Sequence, residues 1–134
     1  MTAEPILVVD DNPSNLKLAR VLLAGEGFEV RGAAGAAEAL EVLSSFHPRL
    51  ILMDIQLPGI DGLELTRRLR ADPNLQAVKI VALTAYAMKG DREKALAAGC
   101  DGYIPKPLEV ASFADTVRSH LIESGGEEGE EAKP

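Results

Sequence analysis

The sequence predicts an α/β domain in which a doubly wound sheet of five parallel strands is flanked by five helices. Five short apolar runs alternate along the chain with longer segments that have helical character. Three of the five runs are almost continuously apolar, which is typical of parallel strands that helices cover on both faces. The chain has 134 residues, of which 46% are hydrophobic, so it can form one domain with its own core.

The predicted elements follow one another in a regular order. The strands are the apolar runs at 6–9, 28–30, 50–53, 79–83 and 102–104. The helices lie at roughly 14–26, 36–46, 62–71, 89–98 and 109–123. Residues that favour helix starts stand at or near the beginning of four helices, at Ser14, Asp61, Asp91 and Glu109. Glycine or proline marks the exits, at Gly27, Pro48, Pro73 and Gly99.

Composition and charge exclude several classes of protein. The 14 Lys and Arg stand against 21 Asp and Glu, and this balance argues against nucleic acid or an anionic membrane as the main partner. The single cysteine, Cys100, excludes an internal disulfide, and with only His47 and His120 beside it argues against a closed zinc site. Both histidines are expected on the surface. Because the chain lacks a signal peptide and any apolar stretch near the ~20 residues that span a bilayer, we expect a cytoplasmic protein.

The C-terminal end differs in composition from the rest of the chain. From Glu123 onwards it contains five Glu and one Lys and lacks apolar side chains that could form a core. We therefore predict a folded domain at 1–124 and a disordered acidic tail at 125–134. Such a short tail cannot form a DNA-binding or enzymatic output module, so we expect the protein to act by binding other proteins.

Polar side chains follow four of the five predicted strands. They are Asp10 and Asp11 after the first, Asp54 after the third, Thr84 after the fourth and Lys106 after the fifth. In an open parallel sheet the carboxyl ends of the strands meet at one edge, where ligands bind at a reversal of strand order. We therefore expect three carboxylates, one hydroxyl and one ammonium group to lie together.

The chemistry of this set is coherent. Three neighbouring carboxylates repel one another unless a cation neutralises them, and oxygen ligands suit Mg²⁺. A carboxylate beside such a cation can attack phosphorus and form an aspartyl phosphate, with the metal, the ammonium group and the hydroxyl stabilising the phosphoryl oxygens. Each residue also has an ordinary interpretation: Asp10 or Asp11 as a helix cap, Asp54 in a turn, Thr84 as a strand residue and Lys106 as a solvated lysine. Their joint placement favours the functional interpretation.

Two other classes of protein fit the residues less well. A phosphohydrolase of the haloacid-dehalogenase type needs Asp-x-Asp after the first strand and a large cap, but this chain has Asp10-Asp11-Asn12 and no room for a cap. A flavin or nucleotide carrier needs a glycine-rich or hydroxyl-rich phosphate loop at the same position. The acidic loop found there would repel phosphate without a cation.

Over roughly residues 4–123 the chain resembles the receiver domains of response regulators in two-component signalling. The resemblance is carried by Ile-Leu-Val-Val-Asp-Asp-Asn at 6–12, Leu-Ile-Leu-Met-Asp-Ile-Gln-Leu-Pro-Gly-Ile-Asp-Gly at 50–62, Val-Ala-Leu-Thr-Ala at 81–85 and Gly-Tyr-Ile-Pro-Lys-Pro at 102–107. It implies the strand order 2-1-3-4-5. It is similar to single-domain regulators of cell division and polarity, the DivK type, and it resembles receivers of hybrid sensor kinases equally well.

The resemblance also implies a role for each residue of the set. Asp54 would be the phosphoacceptor, and Asp11, Asp54 and the backbone carbonyl of Gln56 would bind Mg²⁺, with Asp10 acting through water. Lys106 would pair with the phosphoryl group, and its bond to Pro107 would be cis. Thr84 would move toward the phosphate and Tyr103 would swing inward behind it.

The partners follow from the same resemblance. We expect a histidine kinase or a histidine phosphotransfer protein as the donor, an unidentified downstream protein, and a monomeric receiver. The alternative is a phosphorelay intermediate, which passes its phosphoryl group on to a histidine phosphotransfer protein. The first helix carries more apolar residues than one buried stripe needs, so Leu18 and its neighbours either pack snugly or dock a donor helix. A second candidate surface is formed by the fourth helix, fifth strand and fifth helix around Ala95, Tyr103 and Phe113.

Overall fold

The computed structural model describes residues 4–55, 62–84, 89–106 and 108–123. It contains five parallel strands, β1 (Pro5–Val9), β2 (Glu29–Ala33), β3 (Leu50–Asp54), β4 (Lys79–Thr84) and β5 (Gly102–Pro105). The helices are α1 (Pro13–Ala24), α2 (Ala36–Leu43), α3 (Gly62–Arg70), α4 (Lys89–Ala98) and α5 (Phe113–Glu123), with a short 3₁₀ helix at Pro73–Leu75. The strand order is β2-β1-β3-β4-β5, which confirms the predicted fold.

The core lies on both faces of the sheet, and the central strands divide their side chains between the faces. In β1, Leu7 and Val9 belong to one buried cluster, which includes residues of α2, α3 and α4. Ile6 and Val8 belong to the other, which includes residues of α1 and α5. All four are fully buried, and this two-residue alternation explains why β1 is apolar throughout.

The edge strand β2 differs from its predicted bounds of 28–30. The N–H of Phe28 donates to the Leu23 carbonyl at 3.1 Å and so closes the turn that ends α1, rather than starting the strand. The strand continues to Ala33 because Ala33 pairs with Val9 of β1. The prediction stopped early because Arg31 and Gly32 are not apolar, yet an edge strand needs only one partner and can expose such residues.

Three helices also differ from their predicted bounds. The predicted α5 began at 109, but the carbonyl of Glu109 accepts the N–H groups of Ser112 and Phe113 in a turn, and the helix begins at Phe113. The predicted α2 ended at 46, but a turn at Ser44 ends it at Leu43. Helix α1 ends two residues before the predicted 26, because a turn follows at 25–27. Apolar spacing alone does not separate a helix from the turns that flank it.

Candidate functional site

The carboxyl edge of the sheet brings the predicted polar residues together. Asp54 ends β3, Thr84 ends β4, and Asp10 and Lys106 directly follow β1 and β5. Carboxylate oxygens of Asp10, Asp11 and Asp54 lie within 4.8 Å of one another. Asp10 and Asp54 are buried whereas Asp11 is exposed, so the cluster is open to solvent through Asp11.

Lys106 connects two of the three carboxylates. Its Nζ lies 2.9 Å from Oδ2 of Asp10 and 3.2 Å from Oδ2 of Asp54. Only 12% of the Lys106 side chain is exposed, and burial by itself lowers the pKa of its ammonium group. The hydrogen bond to Asp10 and the charge of Asp54 outweigh that effect, so the net direction is a raised pKa. Lys106 therefore stays charged wherever the two carboxylates are ionised.

Local hydrogen bonds hold Asp10 in place. Its N–H donates to the Ala33 carbonyl at 3.0 Å, which extends the pairing of β1 with β2 by one residue. Its Oδ1 accepts the N–H of Asn12 at 2.9 Å. Asn12, and neither aspartate, is the N-cap of α1, because its side chain accepts the N–H groups of Ser14 and Asn15. Asn12 was missed as a site residue, although a capping residue directly before Pro13 is a recognisable signal.

The start of α3 packs closely against Asp54. The Gly62 N–H donates to the Ile55 carbonyl at 3.3 Å. A Cβ atom at position 62 would lie only 2.1 Å from the Asp54 carbonyl oxygen, so only glycine fits there. This contact was also not predicted, because the sequence marks Gly62 only as the first residue of the third helix. It holds the start of α3 close to Asp54.

Thr84 ends β4, the strand that pairs with β3, and Tyr103 lies on β5, one strand further from Asp54. In the sheet register Asp54 pairs with Leu83, and Thr84 pairs with Pro105, the residue before Lys106. The carbonyl of Thr84, which is fully buried, accepts the N–H of Lys106 at 2.7 Å. Tyr103 is half-buried and lines a cavity of about 460 Å³ together with Lys106 and residues of α5. The predicted roles of Gln56 and Pro107 lie outside the described residues.

The charges of the cluster are unbalanced. Three carboxylates face one ammonium group, which leaves two negative charges in excess. Like charges this close together destabilise one another unless a cation binds between them. A set of carboxylate oxygens with one solvent-exposed member suits a hard cation such as Mg²⁺, which keeps several water ligands. The residues present therefore fit the predicted metal.

The sequence profile of the response regulator receiver domain matches residues 6–118. The chain belongs to this family. It is 44% identical over 116 residues to the polar-differentiation response regulator DivK of Brucella ovis, which covers 87% of this chain and 94% of that protein. It thus resembles a single-domain receiver over nearly the whole length of both chains.

Solved structures of receivers have the same fold. A CheY-like receiver domain from Methanospirillum hungatei superposes with a TM-score of 0.83 at 32% identity, over 92% of this chain and 97% of that one. The receiver domain of a sensor histidine kinase from Pseudomonas aeruginosa gives 0.80 at 36% identity, over 90% and 98%. That structure contains a magnesium ion coordinated in its active-site cleft.

The structure changes the description of the two candidate surfaces. Ala95 and Phe113 are buried and belong to different core clusters, so neither contributes to an exposed α4–β5–α5 surface. On α1, Leu18 is half-buried and Val21 is 59% exposed, so part of its apolar surface does face solvent. Among the described residues no helix has both the length and the apolar character needed to cross a bilayer.

The two histidines differ in their surroundings. His47 is exposed in the loop before β3, as predicted. His120 is half-buried, and its ring packs against the backbone of Gly102 at the start of β5, so the expected surface position was wrong for this residue. Both lie away from the carboxylates at the other edge of the sheet.

Proposed function

We propose that this receiver accepts a phosphoryl group on Asp54 from a histidine kinase or a histidine phosphotransfer protein. One observation carries the proposal: a buried carboxylate at a strand end lies 3.2 Å from a charged lysine and beside two further carboxylates. The similarity to a DivK response regulator supports a single-domain regulator in the cytoplasm. The similarity to the receiver of a sensor histidine kinase supports the second candidate, a receiver segment of a hybrid kinase.

In the proposed reaction a carboxylate oxygen of Asp54 attacks the phosphorus of the phosphohistidine donor. The new O–P bond forms as the P–N bond breaks, and the imidazole of the donor leaves with the electron pair. Asp54 needs no general base because a carboxylate is already ionised at neutral pH. Lys106 then pairs with a phosphoryl oxygen instead of the Asp54 carboxylate. Slow attack by water on the same phosphorus would restore Asp54.

The proposed reaction depends on Mg²⁺. The two excess negative charges of the cluster repel an incoming phosphoryl group, so phosphoryl transfer requires a cation at this position. The carboxylates of Asp11 and Asp54 would hold it, with Asp10 acting through water and the carbonyl of Gln56 completing the set. When bound, the metal neutralises charge on the phosphoryl oxygens in the transition state.

Signalling would follow from a shift between two states of the β4 and β5 ends. The oxygens of a phosphoryl group on Asp54 would attract the Thr84 hydroxyl. In the sheet register Thr84 pairs with Pro105, the residue before Lys106. Movement of Thr84 would leave room for Tyr103 to turn inward from its half-buried position. The change in affinity for a downstream protein is limited by how much better the phosphorylated site favours the second state.

The test is intact mass after incubation with Mg²⁺ and a small acyl-phosphate donor. We expect the parent protein to gain one phosphoryl group, and Asp54→Asn to gain none. Asp101→Asn serves as a matched control because it removes a carboxylate from the opposite edge of the sheet, and it should still be labelled. Labelling of Asp54→Asn to the parent level, or equal labelling with a chelator present, would contradict the proposal.

A parent that gains no phosphoryl group from the small donor requires a second donor. The same measurement with a phosphorylated histidine kinase then decides between a receiver that needs a docked protein donor and one that signals by binding alone. In the first case the kinase labels the parent and not Asp54→Asn. In the second case neither protein is labelled.

A further inference from the structure

A groove of about 540 Å³ runs along the side of α1 that faces the edge strand β2. Its walls are formed mainly by Leu16, Val21 and Val30, and the side chains of Lys17 and Arg20 stand at its rim. Val21 is 59% exposed, so part of the apolar wall of this groove faces solvent. We call this feature the α1 groove.

The two cations of the α1 groove differ from several arginines elsewhere in the described part of the chain. Arg49, Arg67 and Arg118 each form an ion pair with a nearby glutamate. Within the described ranges neither Lys17 nor Arg20 has an acidic partner, and α1 itself contains no acidic residue. Lys17 and Arg20 are three residues apart and therefore stand on the same face of the helix. The groove thus combines an apolar wall with two unbalanced positive charges on an acidic protein.

The chain itself carries a segment of matching charge. Residues 124–134 contain four Glu and one Lys, and they follow directly on Glu123, the last residue of α5. The C-terminal half of α5 lies beside the end of α1. Arg118 of α5 forms an ion pair of 2.7 Å with Glu26, and Leu121 shares a core cluster with Leu23. The acidic segment therefore starts next to the end of the helix that forms the groove.

The segment is long enough to reach the groove. Eleven residues span at most roughly 36 Å when extended. The whole of α1, with 12 residues, is about 18 Å long, and a helix with its side chains is about 10–12 Å across. The segment can pass around the end of α1 and still run along the groove past Val21 as far as Lys17. Its attachment to α5 also gives it an effective concentration in the millimolar range, far above that of a free peptide.

We propose that the acidic segment 124–134 binds in the α1 groove, with its glutamates paired to Lys17 and Arg20 and its backbone lying over Val21. The contact is intramolecular and weak, because exposed ion pairs contribute little and are screened by salt. Its consequence rests on the proposed function: the bound segment covers α1 beside the phosphoacceptor site and competes with a protein donor that docks there. A small acyl-phosphate donor needs no docking surface and is not affected.

The binding is tested by paramagnetic relaxation with a nitroxide on Ala132→Cys. Cys100 is buried and its pKa is raised, so the label attaches selectively to the new cysteine. We expect the amide signals of Lys17 and Val21 to broaden at low salt and to recover near 1 M salt, where the Debye length is about 3 Å. The Lys17→Glu, Arg20→Glu double variant should abolish the broadening. Lys94→Glu, an exposed cation of α4, should leave it unchanged.

Three results would overturn the proposal. The first is absence of broadening on α1 at low salt, and the second is broadening that spreads equally over α1 and α4. The third is broadening that arises between molecules, which is measured by mixing spin-labelled protein with isotope-labelled protein that has no spin label. In that case a second copy, and not the chain's own segment, occupies the groove.

The functional consequence is tested separately. Deletion of 125–134 should raise the rate of phosphotransfer from a protein donor by about two- to tenfold, the factor that two exposed ion pairs can supply. The rate with the small donor should not change. If neither donor labels Asp54, the proposed function fails while the broadening on α1 still tests the groove. If both donors label Asp54 and the deletion has no effect on either rate, the competition is excluded and the function stands.

Discussion

Two ion-pair clusters lie at opposite edges of the same sheet, and they are built in different ways. At the carboxyl edge Lys106 contacts Asp10 and Asp54 through its side-chain ammonium group. At the amino edge Arg70 and Lys79 contact Asp101, which directly precedes β5. The first cluster has an excess of negative charge, whereas the second has two cations for one carboxylate.

The amino-edge cluster is tied to the backbone. Arg70 donates from Nε to the Gly99 carbonyl at 2.8 Å and from Nη1 to the Val78 carbonyl at 2.7 Å. Asp101 accepts the N–H of Ile80 at 2.9 Å as well as the Arg70 guanidinium. Gly99 has φ of +114°, and the Arg70 side chain lies only 2.6 Å from where a Cβ atom would stand. One side chain thus joins the end of α3 to the segments that precede β4 and β5.

The difference indicates how to separate a structural ion pair from a reactive one. Arg70 donates to part-buried backbone carbonyls, so its bonds cannot be exchanged without leaving those acceptors short of a donor. Among the described residues the Lys106 ammonium group pairs with carboxylate oxygens, which can exchange it for a metal ion or a phosphoryl group without loss to the backbone. Excess charge and exchangeable partners together mark the carboxyl edge as the reactive one.

The largest expected effect tests the structural side of this comparison. Arg70→Ala should lower the free energy of unfolding by about 3 kcal/mol, because it leaves Asp101 and at least two carbonyl groups without their partner. Urea unfolding followed by far-UV circular dichroism measures the change, since the chain has no tryptophan. Arg67→Ala is the matched control. Its exposed pair with Glu64 should contribute less than about 0.5 kcal/mol. Equal effects of the two variants would contradict the structural assignment.

The contrast between the clusters also explains what could be predicted from the sequence. Asp10, Asp54, Thr84 and Lys106 were predicted together because each follows or ends a strand, and strand ends are visible in the apolar pattern. Arg70 was not predicted, because its partners are backbone carbonyls of a turn and a loop, and no residue type in the sequence marks a carbonyl acceptor. Polar side chains that gather at strand ends leave a signal in the apolar pattern, whereas a side chain bonded mainly to backbone carbonyls does not.

The same reasoning applies to the elements. The central strands were predicted to within a residue or two because they are buried on both faces, so burial alone determines their composition. The edge strand β2 and the start of α5 were predicted less well. Their bounds depend on single hydrogen bonds, such as those from Phe28 to Leu23 and from Phe113 to Glu109, which carry no pattern.

A second, smaller effect concerns Cys100, which lies between Gly99 and Asp101 at the amino edge. Burial raises the pKa of its thiol to about 11, against the opposing effects of its hydrogen bond with the Thr66 hydroxyl and the charge of Arg70. Because the pKa is raised in the folded state, the stabilisation is complete below the unfolded value of 9.0 and is lost as pH rises through 11. The loss should reach about 3 kcal/mol.

Comparison with Cys100→Ala isolates this effect from other groups that titrate at high pH. The free energy of unfolding of both proteins is measured between pH 8 and pH 11.5. We expect the parent to lose stability more steeply above pH 9 than the variant does. Parallel curves would mean that the thiol ionises equally in both states, and that the amino edge admits solvent.

The smallest expected effect comes from replacing one aspartate by asparagine at each edge. The change in the free energy of unfolding should have opposite signs at the two edges. Asp101→Asn removes a carboxylate that two cations and a backbone N–H require, so it should destabilise the protein. Asp54→Asn removes one of three crowded carboxylates and leaves Lys106 paired with Asp10, so it should stabilise the protein by about 0.5–1 kcal/mol in the presence of a chelator.

Mg²⁺ should reverse the effect of Asp54→Asn, so that the variant becomes less stable than the parent protein. A ligand that binds only the folded state adds about 2.7 kcal/mol at a hundredfold excess over its dissociation constant, and Asp54→Asn should lose most of this gain. The free energies of unfolding with chelator and with Mg²⁺ provide the four values needed. Destabilisation of Asp54→Asn by more than about 1 kcal/mol without metal would mean that its pair with Lys106 is structural, like that of Arg70. If Asp54→Asn is more stable than the parent protein without metal and less stable with it, the crowded carboxylates destabilise the metal-free protein and are needed to bind the cation.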